Sequence, residues 1–111
     1  MPVYKESDIQ SEKITAGYSR KIFHLDNLMV TVCEFSGGPA AEPDPPHSHI
    51  HEQITYVAEG ELYFNISGVK HHLTKGDVIT IPSGIPHCIQ IISNYVRLID
   101  SFSPIRNDFL K

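Results

Sequence analysis

The sequence predicts an all-β protein, an antiparallel barrel of the jelly-roll kind with a short C-terminal helical turn. Apolar residues recur with a period of two, as in Leu62, Phe64 and Ile66, which indicates strands with one buried face. Turn-forming residues interrupt the chain at short intervals, so each strand is short. Helical patterns are almost absent, and a closed or two-sheet antiparallel barrel is the simplest fold that then protects the strand edges.

The strands are expected between these turn signals. The segment from Leu28 to Phe35 has apolar residues at both odd and even positions, which is typical of a strand covered on both faces. Ser103 and Pro104 combine a capping residue with a proline in the first turn, so the short helical tail is expected to begin there. The first 15 residues are polar and weakly patterned. Strands are predicted near residues 18–25, 28–36, 46–49, 53–58, 61–67, 69–73, 78–81, 87–92 and 95–102.

Length and composition exclude several classes of protein. A chain of 111 residues fits one domain, which removes roughly two-thirds of its unfolded surface from water. The net charge of −4 argues against non-specific nucleic-acid binding. No apolar run approaches the ~20 residues of a membrane span, and the first residues lack the apolar stretch of a signal peptide, so a cytoplasmic protein is expected. Cys33 and Cys88 are therefore expected to be free buried thiols.

The histidines are the first indication of function, because three of the seven fall within five residues. Alternate residues of a strand share a face, so His47 and His49 can point at one centre. Imidazole nitrogen is a common ligand of zinc, nickel, copper and iron. The alternative is a solvated histidine cluster or a core histidine with satisfied hydrogen bonds. Spacing alone leaves the register open, because His51 has the same parity as the pair.

Two segments resemble the two sequence motifs of the cupin superfamily. His47 to Gly60 resembles the first motif: His, one residue, His, three or four residues, Glu, six residues, Gly. Gly76 to His87 resembles the second: Gly, five residues, Pro, one residue, Gly, two residues, His. The resemblance implies a jelly-roll barrel. It also implies a single cupin domain over residues 1–111, with motif 1 at about 41–60 and motif 2 at about 76–91.

The same resemblance implies one divalent transition metal (Ni, Zn, Fe or Mn) held by His47, His49, Gln53 and His87. Gln53 occupies the position that glutamate usually holds, and its amide oxygen brings no charge. Relative to a glutamate site, the metal is expected to be held less tightly and to attract an anionic substrate more strongly. Gln53 is also a poor fit to the two-His, one-carboxylate pattern of non-haem iron oxygenases. The alternative is that Gln53 only hydrogen-bonds to a ligand.

Residues 15–30, 46–60 and 100–110 resemble a narrower group, the KdgF cupins of pectin degradation. The last stretch is the most diagnostic, because cupins in general lack this tail. The resemblance implies a metal-dependent enzyme that converts 4,5-unsaturated monouronates, released from pectin or alginate, into linear keto-uronates. The expected partner is thus a small anionic sugar acid, with no nucleic acid and no membrane, and a homodimer is expected.

Asp100, Phe102 and Arg106 are the catalytic and substrate-contacting positions that this resemblance implies. Strand parity places Asp100 and Phe102 on one face of the last strand, and a carboxylate among apolar neighbours needs a partner. A solvated Asp100 at the rim is the alternative. Arg106 is expected to clamp the substrate carboxylate, Asp100 to move a proton, and Phe102 to cover the sugar, with Gln53 also contacting substrate.

Two other functions stay open at this point. A metal-dependent dioxygenase or another cupin isomerase would act on a small acid, and oxygen uptake by iron-loaded protein would favour the dioxygenase. A non-catalytic module that binds a sugar acid or a metal would be stabilised by its ligand without turning it over.

Overall fold

The computed structural model describes residues 3–110. Two 3-10 turns, Glu6–Asp8 and Asn107–Leu110, lie near the ends of this range, and no helix within it is long and apolar enough to cross a membrane. The nine strands in this range are β1 (Glu12–Thr15), β2 (Tyr18–His24), β3 (Met29–Ser36), β4 (Glu52–Glu59), β5 (Glu61–Ile66), β6 (Val69–Thr74), β7 (Val78–Ile81), β8 (His87–Ile91) and β9 (Tyr95–Ser103).

The strands form two antiparallel sheets, as expected from the period-two pattern. A six-stranded sheet has the order β1-β2-β3-β9-β4-β7, and a three-stranded sheet has the order β6-β5-β8. Their inner faces pack together, because burial of alternating apolar side chains is the main favourable term in folding. The all-β prediction is confirmed. The shared core consists of Cys33, Val57, Leu62, Phe64, Ile81, Val96 and Leu98.

The prediction of a strand at residues 46–49 is wrong. Only His47 pairs there, in an isolated bridge with His87 whose two N–O distances are 2.9 and 2.8 Å. Pro45 and Pro46 have no N–H to donate, so no regular ladder forms there, although the backbone N–H of Asp44 donates to the carbonyl of Ile89 at 2.9 Å. The histidine motif therefore lies on a loop that runs along β8 and is held to it by separate backbone hydrogen bonds.

The two ends of the chain also differ from expectation. β1 was not predicted, because its four residues are all exposed and an edge strand of this kind carries no apolar alternation. Ser103 does not cap a helix. It ends β9, where it pairs with Glu52, and the helical turn begins later, at Asn107. Sheet pairing overrides the local capping signal at Ser103.

β3 is not covered equally on its two faces. Met29, Thr31 and Cys33 are buried, whereas the residues between them are only partly buried. The outer face is apolar without being enclosed by a second layer. The cysteine prediction is confirmed, because Cys33 and Cys88 are both free and buried.

Two motif glycines with positive φ offer a test of backbone packing. A Cβ at Gly60 (φ +90°) would lie 2.3 Å from the carbonyl oxygen of Tyr95, whereas a Cβ at Gly76 (φ +94°) would meet nothing within 4 Å. We expect Gly76→Ala to lower the free energy of unfolding by about 1–2 kcal/mol, the cost of a left-handed L-residue. Gly60→Ala should lower the free energy of unfolding by roughly 1–3 kcal/mol more than Gly76→Ala does, because overpacking adds to the backbone strain. Urea denaturation measures both variants, and equal losses would show that the contact with Tyr95 is unimportant.

Candidate metal centre and surrounding cavity

Three histidines meet at one end of the two sheets. One nitrogen from each of His47, His49 and His87 lies within 4.8 Å of the others. The backbone bridge between His47 and His87 places those two rings side by side, with centroids 4.3 Å apart. The backbone N–H of Gly84 donates to the carbonyl of His49 at 2.8 Å, which ties the loop of motif 1 to that of motif 2. His51 follows the bend at Ile50 and lies outside this cluster.

The hydrogen bonds of two rings decide which nitrogens carry free electron pairs. His87 Nδ1 donates to the carbonyl of Ile85 at 2.8 Å, and His49 Nδ1 donates to the carbonyl of His51 at 2.9 Å. A neutral imidazole that donates through Nδ1 has its lone pair on Nε2. His87 Nε2 is buried and has no hydrogen-bond partner among the described residues. In its neutral form, each ring therefore presents the lone pair of Nε2 to the cluster.

Gln53 turns an oxygen toward the same point. Its side chain is 7% exposed, and its Nε2 donates to Thr55 Oγ1 at 2.9 Å. The other amide atom, Oε1, lies 3.1 Å from His49 Nε2. Two atoms that both offer lone pairs repel each other unless a proton or a cation lies beside them. The donor set of imidazole nitrogens and one amide oxygen fits a divalent transition metal.

Burial and nearby charges keep the rings of His47 and His87 in the neutral form, which is the form that binds a metal. Burial lowers the pKa of both His47 and His87 below its usual range, and the neighbouring histidines and Arg106 lower it further. A neutral ring keeps the lone pair that a metal needs.

Asp100 lies inside the molecule, between two strands that both offer a threonine. It pairs with Thr31 on β3 and with Thr55 on β4. Its Oδ1 accepts from Thr55 Oγ1 at 2.6 Å, and its Oδ2 accepts from Cys33 Sγ at 3.6 Å. Burial raises the pKa of the Asp100 carboxyl, while the hydrogen bond from Thr55 opposes that rise. Asp100 thus has partners within the protein and does not lie at a solvated rim.

The C-terminal tail brings cationic and aromatic groups to the same region. The Arg106 guanidinium lies 4.1 Å from the ring centroid of Phe109 and 5.4 Å from that of Phe102. Asp108 holds its orientation through contacts of 2.7 Å to Nη2 and 3.3 Å to Nε. The Arg20 guanidinium also lies over Phe109, at 3.9 Å from the centroid. One aromatic ring therefore contacts two guanidinium groups, each held by a cation–π interaction.

A single cavity of about 300 Å³ joins these groups. This volume is at the lower end of the usual range for small-molecule sites, about 300–1,000 Å³. His49 is the one candidate site residue outside its lining, although its ring centroid is 4.8 Å from that of His87. The candidate site residues in the lining are His47, Gln53, His87, Asp100, Phe102 and Arg106.

Two lining or supporting residues were missed by the sequence analysis. Arg20 shares a face of β2 with Tyr18, and both line the cavity. Thr55 shares a face of β4 with Gln53, so strand parity places it beside the motif, although no motif includes it. A parity check of the motif strand β4 would have identified Thr55 as an inward-facing polar group, and the same check on β2 would have placed Arg20 on one face with Tyr18.

Comparisons with known proteins identify the family of this chain. The family model of the cupin domain matches residues 34–102. The chain belongs to the cupin family. The resemblance predicted from the two motifs is confirmed, and it extends well beyond them. This cupin is 38% identical to the pectin degradation protein KdgF of Dickeya dadantii (strain 3937). The matched region is 101 residues long and covers 89% of each chain.

Solved structures give the same result. The cupin superposes on KdgF from Halomonas sp. with a TM-score of 0.88 and 29% identity, covering 98% of both chains. An RmlC-like cupin from Shewanella frigidimarina has a TM-score of 0.85 and 34% identity, covering 96% of this chain and 93% of the other. Acireductone dioxygenase of Rattus norvegicus is 36% identical over 62 residues, which is 50% of this chain and 35% of that protein. The KdgF relatives are thus matched over nearly their full length, and the dioxygenase only in part.

Metal binding should stabilise the fold through the histidine cluster. At a nickel or zinc concentration 100-fold above the Kd, binding adds about 2.7 kcal/mol, a rise in Tm on the order of 10 °C. We expect that rise in the wild type and not in His87→Ala. His71→Ala is the matched control, because His71 is exposed and lies outside the cluster. Thermal denaturation with and without chelator measures the effect, and an equal rise in both variants would place the metal elsewhere.

Proposed function

We propose that this cupin is a metal-dependent enzyme that converts 4,5-unsaturated monouronates into linear keto-uronates. One observation carries the proposal: a single cavity is lined by three of the four candidate metal ligands, the Asp100 carboxylate and guanidinium groups, on a chain related to KdgF over 89% of its length. KdgF of Dickeya dadantii is named as a pectin degradation protein. Unsaturated uronates are the sugar acids that lyases release from pectin and alginate, and they carry the negative charge that this cavity suits.

The proposed reaction is an isomerisation, because the sugar ring opens with no net gain or loss of atoms. The C1 hydroxyl loses its proton as the bond between C1 and the ring oxygen breaks, which leaves an aldehyde. The ring oxygen departs with the bonding pair as an enolate on C5. A proton added at C4 then turns the enolate into a ketone. One proton leaves oxygen and one arrives at carbon, so a single group that both accepts and donates a proton is sufficient.

Asp100 is the group in the cavity that suits this transfer. Its carboxyl accepts hydrogen bonds from Thr55 and Cys33, which hold it in one orientation. Burial raises the pKa of Asp100, and a higher pKa makes the carboxylate a better base and its conjugate acid a usable donor. We assign Asp100 the removal of the C1 hydroxyl proton and the delivery of a proton to C4.

Arg106 and Phe102 are assigned to substrate binding. Arg106 is oriented by Asp108 and by two aromatic rings, so its guanidinium is held ready for the substrate carboxylate. Phe102 is buried beside Gln53 in the next strand and offers an apolar surface to the sugar. A divalent metal held by His47, His49, Gln53 and His87 would supply Lewis-acid stabilisation of the charge that develops on oxygen.

A dioxygenase is the second candidate, and the partial match to acireductone dioxygenase favours it. The neutral Gln53 weighs against it, because non-haem iron oxygenases use a carboxylate at the third ligand position. If iron-loaded protein takes up oxygen and does not consume an unsaturated uronate, the dioxygenase replaces the isomerase as the proposed function. The homodimer, the cytoplasmic location and the single domain over residues 1–111 stay predictions.

Turnover of an unsaturated monouronate tests the function directly. The purified protein should erase the ultraviolet absorbance of the substrate's conjugated double bond, and a chelator should stop it. Asp100→Asn should lower kcat by about 10²- to 10⁴-fold, the usual contribution of a general acid–base, with metal content unchanged. Asp26→Asn, on an exposed turn, is the control. Full turnover by Asp100→Asn with bound metal would remove Asp100 from the mechanism.

Substitution of Arg106 separates binding from chemistry. Arg106→Lys keeps the charge but loses the planar fork that contacts a carboxylate at two points. We expect KM to rise by about 10- to 100-fold, the value of a hydrogen bond to a charged group, with a smaller change in kcat. Arg97 lies on the face of β9 opposite to that of Asp100 and Phe102, so Arg97→Lys should leave both KM and kcat unchanged. A fall in kcat alone would assign Arg106 to the chemical step instead.

A further inference from the structure

A buried hydroxyl joins the candidate metal centre to the candidate proton-transfer group. Thr55 follows Gln53 by two residues on β4 and is 0% exposed. Its Oγ1 lies 2.9 Å from Gln53 Nε2 and 2.6 Å from Asp100 Oδ1. The side chains of Gln53, Thr55 and Asp100 therefore form one continuous hydrogen-bonded chain.

This chain has a fixed direction, because a hydroxyl has one hydrogen. The Gln53 amide donates to Thr55 Oγ1, so the hydroxyl hydrogen is free to be donated to Asp100 Oδ1. With the amide reversed, its oxygen and the Asp100 carboxylate would compete for that hydrogen. The reversed amide would also turn its NH2 group, which has no lone pair for a metal, toward His49. Thr55 thus selects the orientation in which Gln53 Oε1 points at the histidines.

We propose that Thr55 is a positioning residue that aims the Gln53 oxygen at the metal position and holds Asp100 in its working orientation. Threonine suits this task because its β-branched side chain is stiff about χ1 in a strand. The contact of Asp100 Oδ2 with Cys33 Sγ is long, at 3.6 Å, so this is the oxygen that we assign to a substrate proton. The catalytic half of the proposal rests on the proposed function, whereas the metal-binding half rests on the geometry alone.

Thr31 provides a matched control within the same row of the sheet. It is also a fully buried threonine, and it flanks Asp100 from the opposite strand. Its hydroxyl lies 3.5 Å from Cys33 Sγ and has no hydrogen bond to Asp100 or Gln53 within residues 3–110. Valine has almost the same shape as threonine, so Thr→Val at either position replaces only the hydroxyl, with a methyl group.

The test compares Thr55→Val, Thr55→Ser and Thr31→Val by calorimetric titration with nickel and by the visible spectrum of cobalt-loaded protein. Thr55→Val should lose about 10-fold or more in metal affinity, as expected when a group that orients a ligand is removed. Its cobalt spectrum should shift, because Gln53 can then rotate. Its kcat should fall by a similar factor with a smaller change in KM. Thr55→Ser should restore affinity, spectrum and kcat, and Thr31→Val should match the wild type.

Two results would overturn the proposal: wild-type metal affinity and spectrum in Thr55→Val, or equal losses in Thr55→Val and Thr31→Val. Should Thr55→Val fold poorly, Thr55→Ala serves as the second variant without a hydroxyl, and the same criteria apply. If the wild type does not consume unsaturated uronates, the proposed function fails. The metal titrations and cobalt spectra still decide the role of Thr55 in that case.

Discussion

The register between β4 and β9 is the constraint that positions the candidate site. It places Gln53 opposite Phe102 and Thr55 opposite Asp100, so that four side chains from two distant segments face inward together. A slip of one residue would turn all of them to the outer face. The register is held by the core below the site, where Val57 and Leu98 are paired and both buried. Apolar packing therefore fixes where the polar groups meet.

The second sheet completes the site from the other side. His87 begins β8 and pairs with Ile66 of β5, so the same sheet that covers the core also carries one nitrogen of the cluster. The loop with His47 is attached to β8 by the bridge at His87 and by backbone hydrogen bonds from Ala40 and Asp44. The candidate metal centre thus lies where the two sheets meet. A cation there would add a further link between the loop, β4 and β8.

The charges of the cavity follow a simple division. The metal-facing groups are neutral rings and a neutral amide, the tail and β2 contribute Arg106 and Arg20, and Asp44 and Asp100 are the carboxylates of the lining. A divalent ion at the histidines would keep its full positive charge, since none of these four donors is anionic. Such a cavity attracts a small anion, and Asp100 is shielded from solvent by burial and by its threonine and cysteine contacts. This division suits a sugar acid better than a neutral sugar.

Local patterns in the sequence predict much of this protein. Apolar patterns and turn signals predict eight of the nine strands in residues 3–110, and the resemblance to the cupin motifs identifies His47, His49, Gln53 and His87 as candidate ligands. The strand predictions succeed because strand periodicity is a property of neighbouring residues, and the ligand set stays a prediction. The edge strand β1 and the single bridge at His47 were not foreseen, because neither depends on such a pattern.

Contacts between segments distant in the chain settle the remaining features. The direction of the hydrogen bonds through Thr55 requires Asp100 to lie opposite it, 45 residues later in the sequence. The contact of Phe109 with Arg20 joins the C-terminal tail to the second strand. No periodicity encodes either contact, because strand pairing and tail docking are chosen by packing of the whole chain. The amino-acid pattern names the chemical groups, and their mutual orientation arises when the two sheets close over one core.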